Sequence, residues 1–104
     1  MERTSIEKIL MERFAITEED YTEYIGRFLD RQGRLRSLPA KQKQQTVVYM
    51  HLASLFVCDR IYAEAEVNRI LATVAADFAS YRRALIDNGL MSRSKDGREY
   101  FRNR

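Results

Sequence analysis

The sequence contains one cysteine, one histidine, one proline and no tryptophan. A single cysteine, Cys58, cannot form an intrachain disulfide, which favours a reducing compartment. His51 is the only histidine, and the sequence contains no CxxC, HExxH, P-loop or GxGxxG motif. We therefore predict no metal or nucleotide cofactor and no enzymatic activity, because catalysis needs clustered groups. We predict a structural role for His51, and we predict that Cys58 is a small, buried apolar residue.

The chain also lacks long apolar runs. None approaches the ~20 residues that a helix needs to span a bilayer, and no apolar segment typical of a signal peptide follows the N-terminus. We therefore predict a cytoplasmic protein with no membrane partner. With 104 residues, of which 45% are hydrophobic and 32% charged, the sequence predicts a single domain over residues 1–104 with one modest core.

The charges are unevenly distributed along the chain, although the net charge is only +3. Residues 1–30 hold four bases and eight acids, whereas residues 31–45 hold five bases and no acid. Residues 77–104 hold seven bases and four acids. Such asymmetry can steer an anion to one side of a protein. The alternative is that these runs are simply solvated faces.

Two helices are predicted in the acidic N-terminal third. Thr4 and Glu7 fit a capping box ahead of a helix over residues 5–13. Thr17 and the three acids after it repeat this pattern, because acidic side chains are favoured in the first turn of a helix. Gly33 is a suitable stop for the second helix. Its apolar stripe has helical spacing and comprises Tyr21, Tyr24, Ile25, Phe28 and Leu29.

The basic segment that follows predicts a short strand and a helix. Residues 34–38 alternate polar and apolar, and Pro39 suits the first turn of a helix over residues 39–56. Lys41 and Lys43 lie near its start, where the helix dipole disfavours cations. Together with Arg34 and Arg36 they form a candidate phosphate site. The alternative is that these bases pair with the acidic helices. The predicted inner face of the helix comprises Val48, Leu52, Leu55 and Phe56.

The last 44 residues predict a strand, two helices and a hairpin. Residues 61–62 can form a very short strand, and residues 64–74 a helix whose inner face comprises Val67, Ile70, Leu71 and Val74. A second helix covers residues 77–88, with the Asp77 side chain as its N-cap. The Asp96-Gly97 pair predicts a tight turn in a hairpin over residues 90–102.

The helix over residues 77–88 has distinct faces at 100° per residue. Phe78, Tyr81, Leu85 and Ile86 cluster on one side. Ser80, Arg83 and Asp87 lie on the other, so Arg83 is the candidate for outward contact. It can instead pair with Asp87, four residues on. Arg82 falls inside the apolar arc, where it must snorkel or pair with an acid, and it is predicted to be structural.

These elements indicate a mainly α protein with a small β-hairpin, of class α+β. The order of helix, short strand, two helices and hairpin is that of a winged helix-turn-helix, with residues 61–62 as the third strand. Residues 34–104 form the predicted core, and residues 1–33 a helical extension of it.

Several sequence blocks are distinctive in combination. They are Tyr24-x-x-x-Phe28-Leu29-Asp30, Gly33-Arg34-Leu35, Leu38-Pro39-x-Lys41-x-Lys43, Tyr62-x-Glu64-x-Glu66-Val67-Asn68-x-Ile70-Leu71, Asp77-Phe78-Ala79-x-Tyr81-Arg82-Arg83-x-Leu85-Ile86-Asp87 and Gly89-Leu90-Met91-x-Arg93. Together they resemble one bacterial family of uncharacterised proteins, the domain of unknown function two-zero-eight-seven, over about Tyr24–Arg102. The resemblance implies a link to gene regulation, because members of the family occur attached to transcription-regulator-like domains, and it implies no catalytic residues. Ala63 stands where the family has a hydroxyl residue that would cap the next helix.

The sequence supports two functional hypotheses. The first is a DNA-binding winged helix that acts as a transcriptional regulator and places the helix over residues 77–88 in the major groove of double-stranded DNA. The second is a winged-helix interaction or dimerisation module without DNA binding, in which the acidic N-terminal helices bind a second copy or another protein. In the first hypothesis, Ser80, Arg83 and Asp87 face base edges, and Arg93, Lys95, Arg98, Lys41 and Lys43 hold phosphates. For the hairpin bases, the alternative role is protection of edge strands against aggregation.

Overall fold

The computed structural model describes residues 2–104 and confirms the α+β class. In this part of the chain, five helices accompany a three-stranded antiparallel sheet. From residue 39 onward, the order of elements is the predicted one, although several boundaries differ. The elements are α1 (Ser5–Arg13), α2 (Glu18–Phe28), α3 (Gln42–Ala53), β1 (Ile61–Ala63), α4 (Glu64–Ala72), α5 (Phe78–Asp87), β2 (Met91–Arg93) and β3 (Glu99–Arg102).

Both predicted N-terminal capping boxes are present. The Thr4 hydroxyl accepts from the Glu7 N–H at 3.3 Å, and the Glu7 carboxylate accepts from the Thr4 N–H at 3.0 Å. Thr17 and Asp20 make the same reciprocal pair at 2.9 and 3.1 Å. These bonds satisfy backbone donors that have no partner inside the helix, so each box fixes where its helix begins.

The second helix ends earlier than Gly33 predicted. It stops at Phe28, and Leu29 forms an isolated antiparallel bridge with Leu35. Between them, the Asp30 carboxylate accepts from the N–H groups of Gln32 and Arg34, each at 2.9 Å. Gly33 has φ +78° and completes this turn instead of ending the helix. The predicted strand over residues 34–38 is reduced to the single bridge at Leu35.

The third helix begins at Gln42, not at Pro39, and ends at Ala53. Pro39 is buried in an extended segment before it, and the Gln45 side-chain amide donates to the Pro39 carbonyl at 2.9 Å. Lys41 keeps extended dihedral angles and makes no side-chain capping bond. The Gln45 amide thus satisfies the Pro39 carbonyl, which lies before the first residue of the helix.

The sheet has the strand order β1-β3-β2, and it includes the predicted third strand at residues 61–62. Ile61 pairs with Phe101, and Tyr62 with Tyr100. Tyr62 and Tyr100 point into the core and are buried, whereas Ile61 and Phe101 lie on the outer face and are 60% and 41% exposed. The short strands thus have one buried face and one solvent-facing face, as antiparallel sheets permit.

The core lies between the inner face of this sheet and α3, α4 and α5. The Tyr62 ring meets the Phe56 ring edge to face at 5.1 Å, a contact that adds about 1 kcal/mol to burial alone. The helix α4 ends at Ala72, two residues before the predicted end at Val74, although Val74 is buried as predicted. Leu55 and Ile70, expected on inner faces, are only partly buried. The side chains with no exposed surface are Val47, Met50, Leu52, Val67, Leu71 and Leu85.

Candidate nucleic-acid interface

The outer face of α5 carries the three predicted base-reading residues. Asp77 caps the helix, since its carboxylate accepts from the Ser80 N–H at 3.4 Å. Ser80, Arg83 and Asp87 are exposed, whereas Tyr81 and Leu85 are buried. Within residues 2–104, neither Arg83 nor Asp87 has an ion-pair partner, so the alternative i,i+4 pair between them is not formed. The Arg83 guanidinium is therefore accessible to an external acceptor.

Arg82 has the structural role that its position on the helix predicted. Its guanidinium lies 3.2 Å from the Glu64 carboxylate and also donates to the Asn68 side chain. Only 16% of the Arg82 side chain is exposed. Both partners belong to α4, so Arg82 joins α4 to α5 and is not available for outward contact.

The hairpin presents three exposed bases around an ordered turn. Arg93, Lys95 and Arg98 are all exposed. The Asp96 carboxylate accepts from the Ser94 hydroxyl and from the Arg98 N–H, and these hydrogen bonds lower the pKa of Asp96. Arg98 lies 4.0 Å from Asp96, a distance at the limit of an ion pair, and 85% of its side chain is exposed. The turn is therefore held by Asp96, and the three bases around it are exposed to solvent.

Two of the four bases of the predicted phosphate site near α3 are engaged with the protein. Lys43 lies 3.0 Å from Asp20 of α2, and this contact raises the pKa of Lys43. The Arg34 guanidinium donates to the carbonyls of Ala72 and Thr73, each at 3.1 Å. Lys41 and Arg36 are exposed. The alternative that these bases pair with the acidic helices therefore holds for Lys43.

The candidate bases lie on separate elements of the fold. Arg83 is connected closely along the chain to the hairpin bases, because only three residues separate the end of α5 at Asp87 from the start of β2 at Met91. Lys41 and Lys43 lie at the N-terminal end of α3.

Sequence reasoning missed a buried carboxylate with two basic partners. Glu7 is 4% exposed, and its side chain lies 3.0 Å from Arg3 and 3.5 Å from Arg102. Burial alone would raise the pKa of Glu7, but hydrogen bonds from Thr4 and Arg3 outweigh it and hold the pKa below its ordinary value. The predicted capping box gave Glu7 a local role at the start of α1, and it gave no indication of the contact with Arg102. The available signal was period-two alternation, which places Arg102 on the same inner face as buried Tyr100.

Cys58 differs from the expectation for it. It is partly exposed in the loop before β1, so it is not the buried apolar residue that was predicted. His51 is also partly buried, and burial lowers the pKa of its imidazole. Among residues 2–104, no group of three or more histidine, cysteine or carboxylate side chains has the geometry to hold a metal ion. None of the helices in the same part of the chain is long and apolar enough to cross a membrane.

Comparison with known proteins identifies the family of this chain. The model of the family described as "Uncharacterized protein conserved in bacteria (DUF2087)" matches residues 34–102. This match begins after the block Tyr24–Asp30, which therefore lies outside it. No curated protein and no solved structure matches the chain. Because the matched segment comprises more than half of the sequence, the chain belongs to this family of uncharacterised bacterial proteins.

Proposed function

We propose that this protein is a winged helix-turn-helix that binds double-stranded DNA and acts as a transcriptional regulator in the cytoplasm. In this proposal, α5 enters the major groove with Ser80, Arg83 and Asp87 toward base edges. The hairpin lies along the backbone, where Arg93, Lys95 and Arg98 contact phosphates.

The arrangement of α5 and the hairpin carries the proposal. An exposed helix face with an unpaired arginine continues directly into a hairpin with three exposed bases. The order of elements and the antiparallel β1-β3-β2 sheet are also those expected of a winged helix. An arginine is the side chain best suited to the guanine edge, because its guanidinium donates two parallel hydrogen bonds. Asp87 works against phosphate contact but can accept from a cytosine amino group.

Binding to duplex DNA as a function of salt tests this proposal. We expect a fluorescein-labelled duplex of mixed sequence to bind at low ionic strength and to dissociate as salt is raised. Each phosphate contact that is lost changes the slope of log K against log salt by roughly 0.9, so replacing Arg93, Lys95 and Arg98 by alanine should flatten the slope by about 2–3. Arg83→Ala should weaken binding without unfolding the protein.

A matched control separates this effect from net charge. Arg13→Ala removes an exposed charge from α1, outside the proposed interface, and should leave binding close to that of the unmodified protein. Absence of duplex binding at low salt would refute the proposal. So would an equal loss of affinity in Arg13→Ala and Arg83→Ala.

A second candidate function is an interaction or dimerisation module, which the outer face of the sheet favours. Ile61 and Phe101 are cross-strand partners there and are both exposed. The acidic helices α1 and α2 are less suitable for this role, since Tyr21 and Phe28 of α2 pack against the core. A salt-insensitive homodimer that dissociates on Phe101→Ser, together with no duplex binding, would favour this function over the first.

A further inference from the structure

A polar cavity lies where the N-terminal helices meet the core, away from the proposed DNA interface. Its volume is about 530 Å³. This volume falls in the range of pockets that hold small molecules, roughly 300–1,000 Å³. The residues that line it and matter here are Arg3, Glu7, Tyr21, His51, Ser54 and Arg102. They lie in or directly beside α1, α2, α3 and β3, so the cavity exists only when the extension is docked on the core.

Arg102 presents unused hydrogen-bond donors to this cavity. Its Nη1 donates to the Phe56 carbonyl at 3.0 Å, and its Nη2 approaches Glu7 at 3.5 Å. Among residues 2–104, no acceptor pairs with its Nε. Only 15% of this side chain is exposed, and no polar side-chain atom of the described residues is buried without a partner. The unpaired Nε therefore keeps some accessible surface, and Arg102 is one of the residues that line the cavity.

His51 supplies a second polar group on another wall of the cavity. Its ring nitrogens have no hydrogen-bond partner in the part of the chain that the structure describes, and neither nitrogen is sealed from solvent. Burial lowers the pKa of His51, so the imidazole is neutral at pH 7 and offers one donor and one acceptor. The hydroxyl groups of Tyr21 and Ser54 line the cavity beside it.

Arg102 is the less committed of the two arginines that line the cavity. The Arg3 guanidinium is committed to Glu18 at 2.8 Å and to Glu7 at 3.0 Å. Arg102 approaches Glu7 at the longer distance of 3.5 Å. The carboxylates of Glu2, Glu7 and Glu18 offset the two guanidinium charges, so a ligand would be held by direct hydrogen bonds from Arg102 and not by an excess of positive charge.

From these contacts we infer that the cavity binds a small organic carboxylate, whose oxygens accept from Arg102 and whose polar substituent meets His51. A guanidinium matches a carboxylate in shape and charge, because its N–H groups diverge at the spacing of the two oxygens. The ligand would bridge α3 and β3 beneath α1. Its binding would therefore stabilise the docked position of the N-terminal extension.

Amide chemical shifts of the whole chain test this inference directly. The probes are sodium benzoate, succinate and citrate, each titrated to about 20 mM at constant ionic strength, since weak sites have millimolar Kd values. Benzamide and sodium chloride are the uncharged and ionic controls. We expect at least one carboxylate to shift the amides of Ser54, Cys58 and Arg102 saturably, and benzamide and chloride not to do so.

Two variants and a control locate the binding group. Arg102→Lys keeps the charge but loses the Nε donor, and His51→Ala removes the imidazole. Each should weaken carboxylate binding at least about tenfold, or 1.4 kcal/mol. Arg13→Lys changes an exposed arginine of α1 that does not line the cavity, and it should leave carboxylate binding unchanged. Should Arg102→Lys fail to fold, His51→Ala alone decides the outcome.

Three results would overturn the inference. The first is that none of the three acids shifts the cavity amides at any concentration up to about 20 mM, which is high enough to reveal a site with a millimolar Kd. The second is that benzamide or chloride produces the same shifts as benzoate. The third is that inorganic phosphate binds at these amides while the carboxylates do not. DNA binding is scored separately, so failure here leaves the proposed function standing.

Discussion

Glu7 and Arg102 form an ion pair across 95 positions of the chain, with 3.5 Å between Glu7 Oε1 and Arg102 Nη2. The Glu7 side chain is only 5% exposed and also contacts Arg3. Arg102 reaches from there to the carbonyl of Phe56. One carboxylate thus joins the N-terminal extension to the last strand and to the end of α3.

Replacing this carboxylate should destabilise the protein substantially. Glu7→Gln leaves two guanidinium groups without their shared anion, and we expect the free energy of unfolding to fall by about 2–3 kcal/mol. Urea denaturation measures this change. The control is Glu23→Gln, whose pair with Arg27 is 3.4 Å long and exposed, and which should cost at most about 0.5 kcal/mol. Similar losses in the two variants would contradict a structural role for the Glu7 cluster.

Acidification should remove the contribution of Glu7. Its pKa lies below the ordinary value of 4.5, so the native state binds this proton less tightly than the unfolded state. The contribution is therefore complete above pH 4.5 and is lost as the pH falls through the lower native pKa. We expect the stability difference between the unmodified protein and Glu7→Gln to be constant from about pH 5 to 7 and to shrink below that range. A difference that grows on acidification would contradict this assignment.

His51 should produce a separate pH dependence at higher pH. Burial holds its pKa below the ordinary 6.5, so the unfolded state takes up a proton first as the pH falls. Stability is complete above pH 6.5 and decreases as the pH falls toward the native pKa. His51→Gln should show a flatter stability profile between about pH 7 and 5. Identical slopes in the two proteins would show that His51 does not titrate differently on folding.

Adjacent arginines on α5 should behave in opposite ways. Arg82→Ala breaks contacts with Glu64 and Asn68 and should cost about 1–2 kcal/mol of stability. Arg83→Ala removes an exposed side chain and should change stability by less than about 0.5 kcal/mol. Thermal unfolding and DNA titration of both variants provide the comparison. If Arg83→Ala were the more destabilising, the assignment of the two faces of α5 would be wrong.

A hydroxyl at position 63 should stabilise the protein. Glu66 already accepts from the Ala63 N–H at 3.0 Å, but the Ala63 methyl group cannot accept the reciprocal bond. Ala63→Thr would complete the capping box and should add about 1 kcal/mol. Ala65→Thr is the matched control, since a β-branched residue within α4 should cost up to roughly 0.7 kcal/mol. A chemical denaturation series resolves the two, and equal effects would exclude capping as the cause.

Local signals predicted the ends of elements best where a side chain bonds to nearby backbone. Thr4, Thr17 and Asp77 each cap the helix that their positions predicted, and Asp96-Gly97 forms the predicted turn. Predictions failed at Pro39, because a proline permits a helix start without requiring it, and the Gln45 amide stabilises the extended chain instead. They also failed at Gly33, where φ +78° serves a turn built on Asp30.

Among the candidate-site residues too, the positions that local geometry determines were predictable and the long-range contacts were not. The outward position of Arg83 and the inward position of Arg82 follow from helix geometry, and the structure agrees with both. The engagement of Lys43 by Asp20 was one of two alternatives that the sequence left open. The cavity at Arg102 was not foreseen, because its walls come from four separate elements. The spacing of residues along the chain does not predict how separate elements pack to form a cavity.

The pairing of Glu7 with Arg102 also has a kinetic consequence. A contact between residues 95 positions apart closes a loop of nearly the whole chain, and the entropy cost of that closure delays it until the helices and sheet have formed. The contact should therefore be absent from the folding transition state, with a Φ-value near zero. Glu7→Gln would then accelerate unfolding while leaving the refolding rate almost unchanged. The pair thus governs how long the folded molecule lasts, and not how quickly it forms.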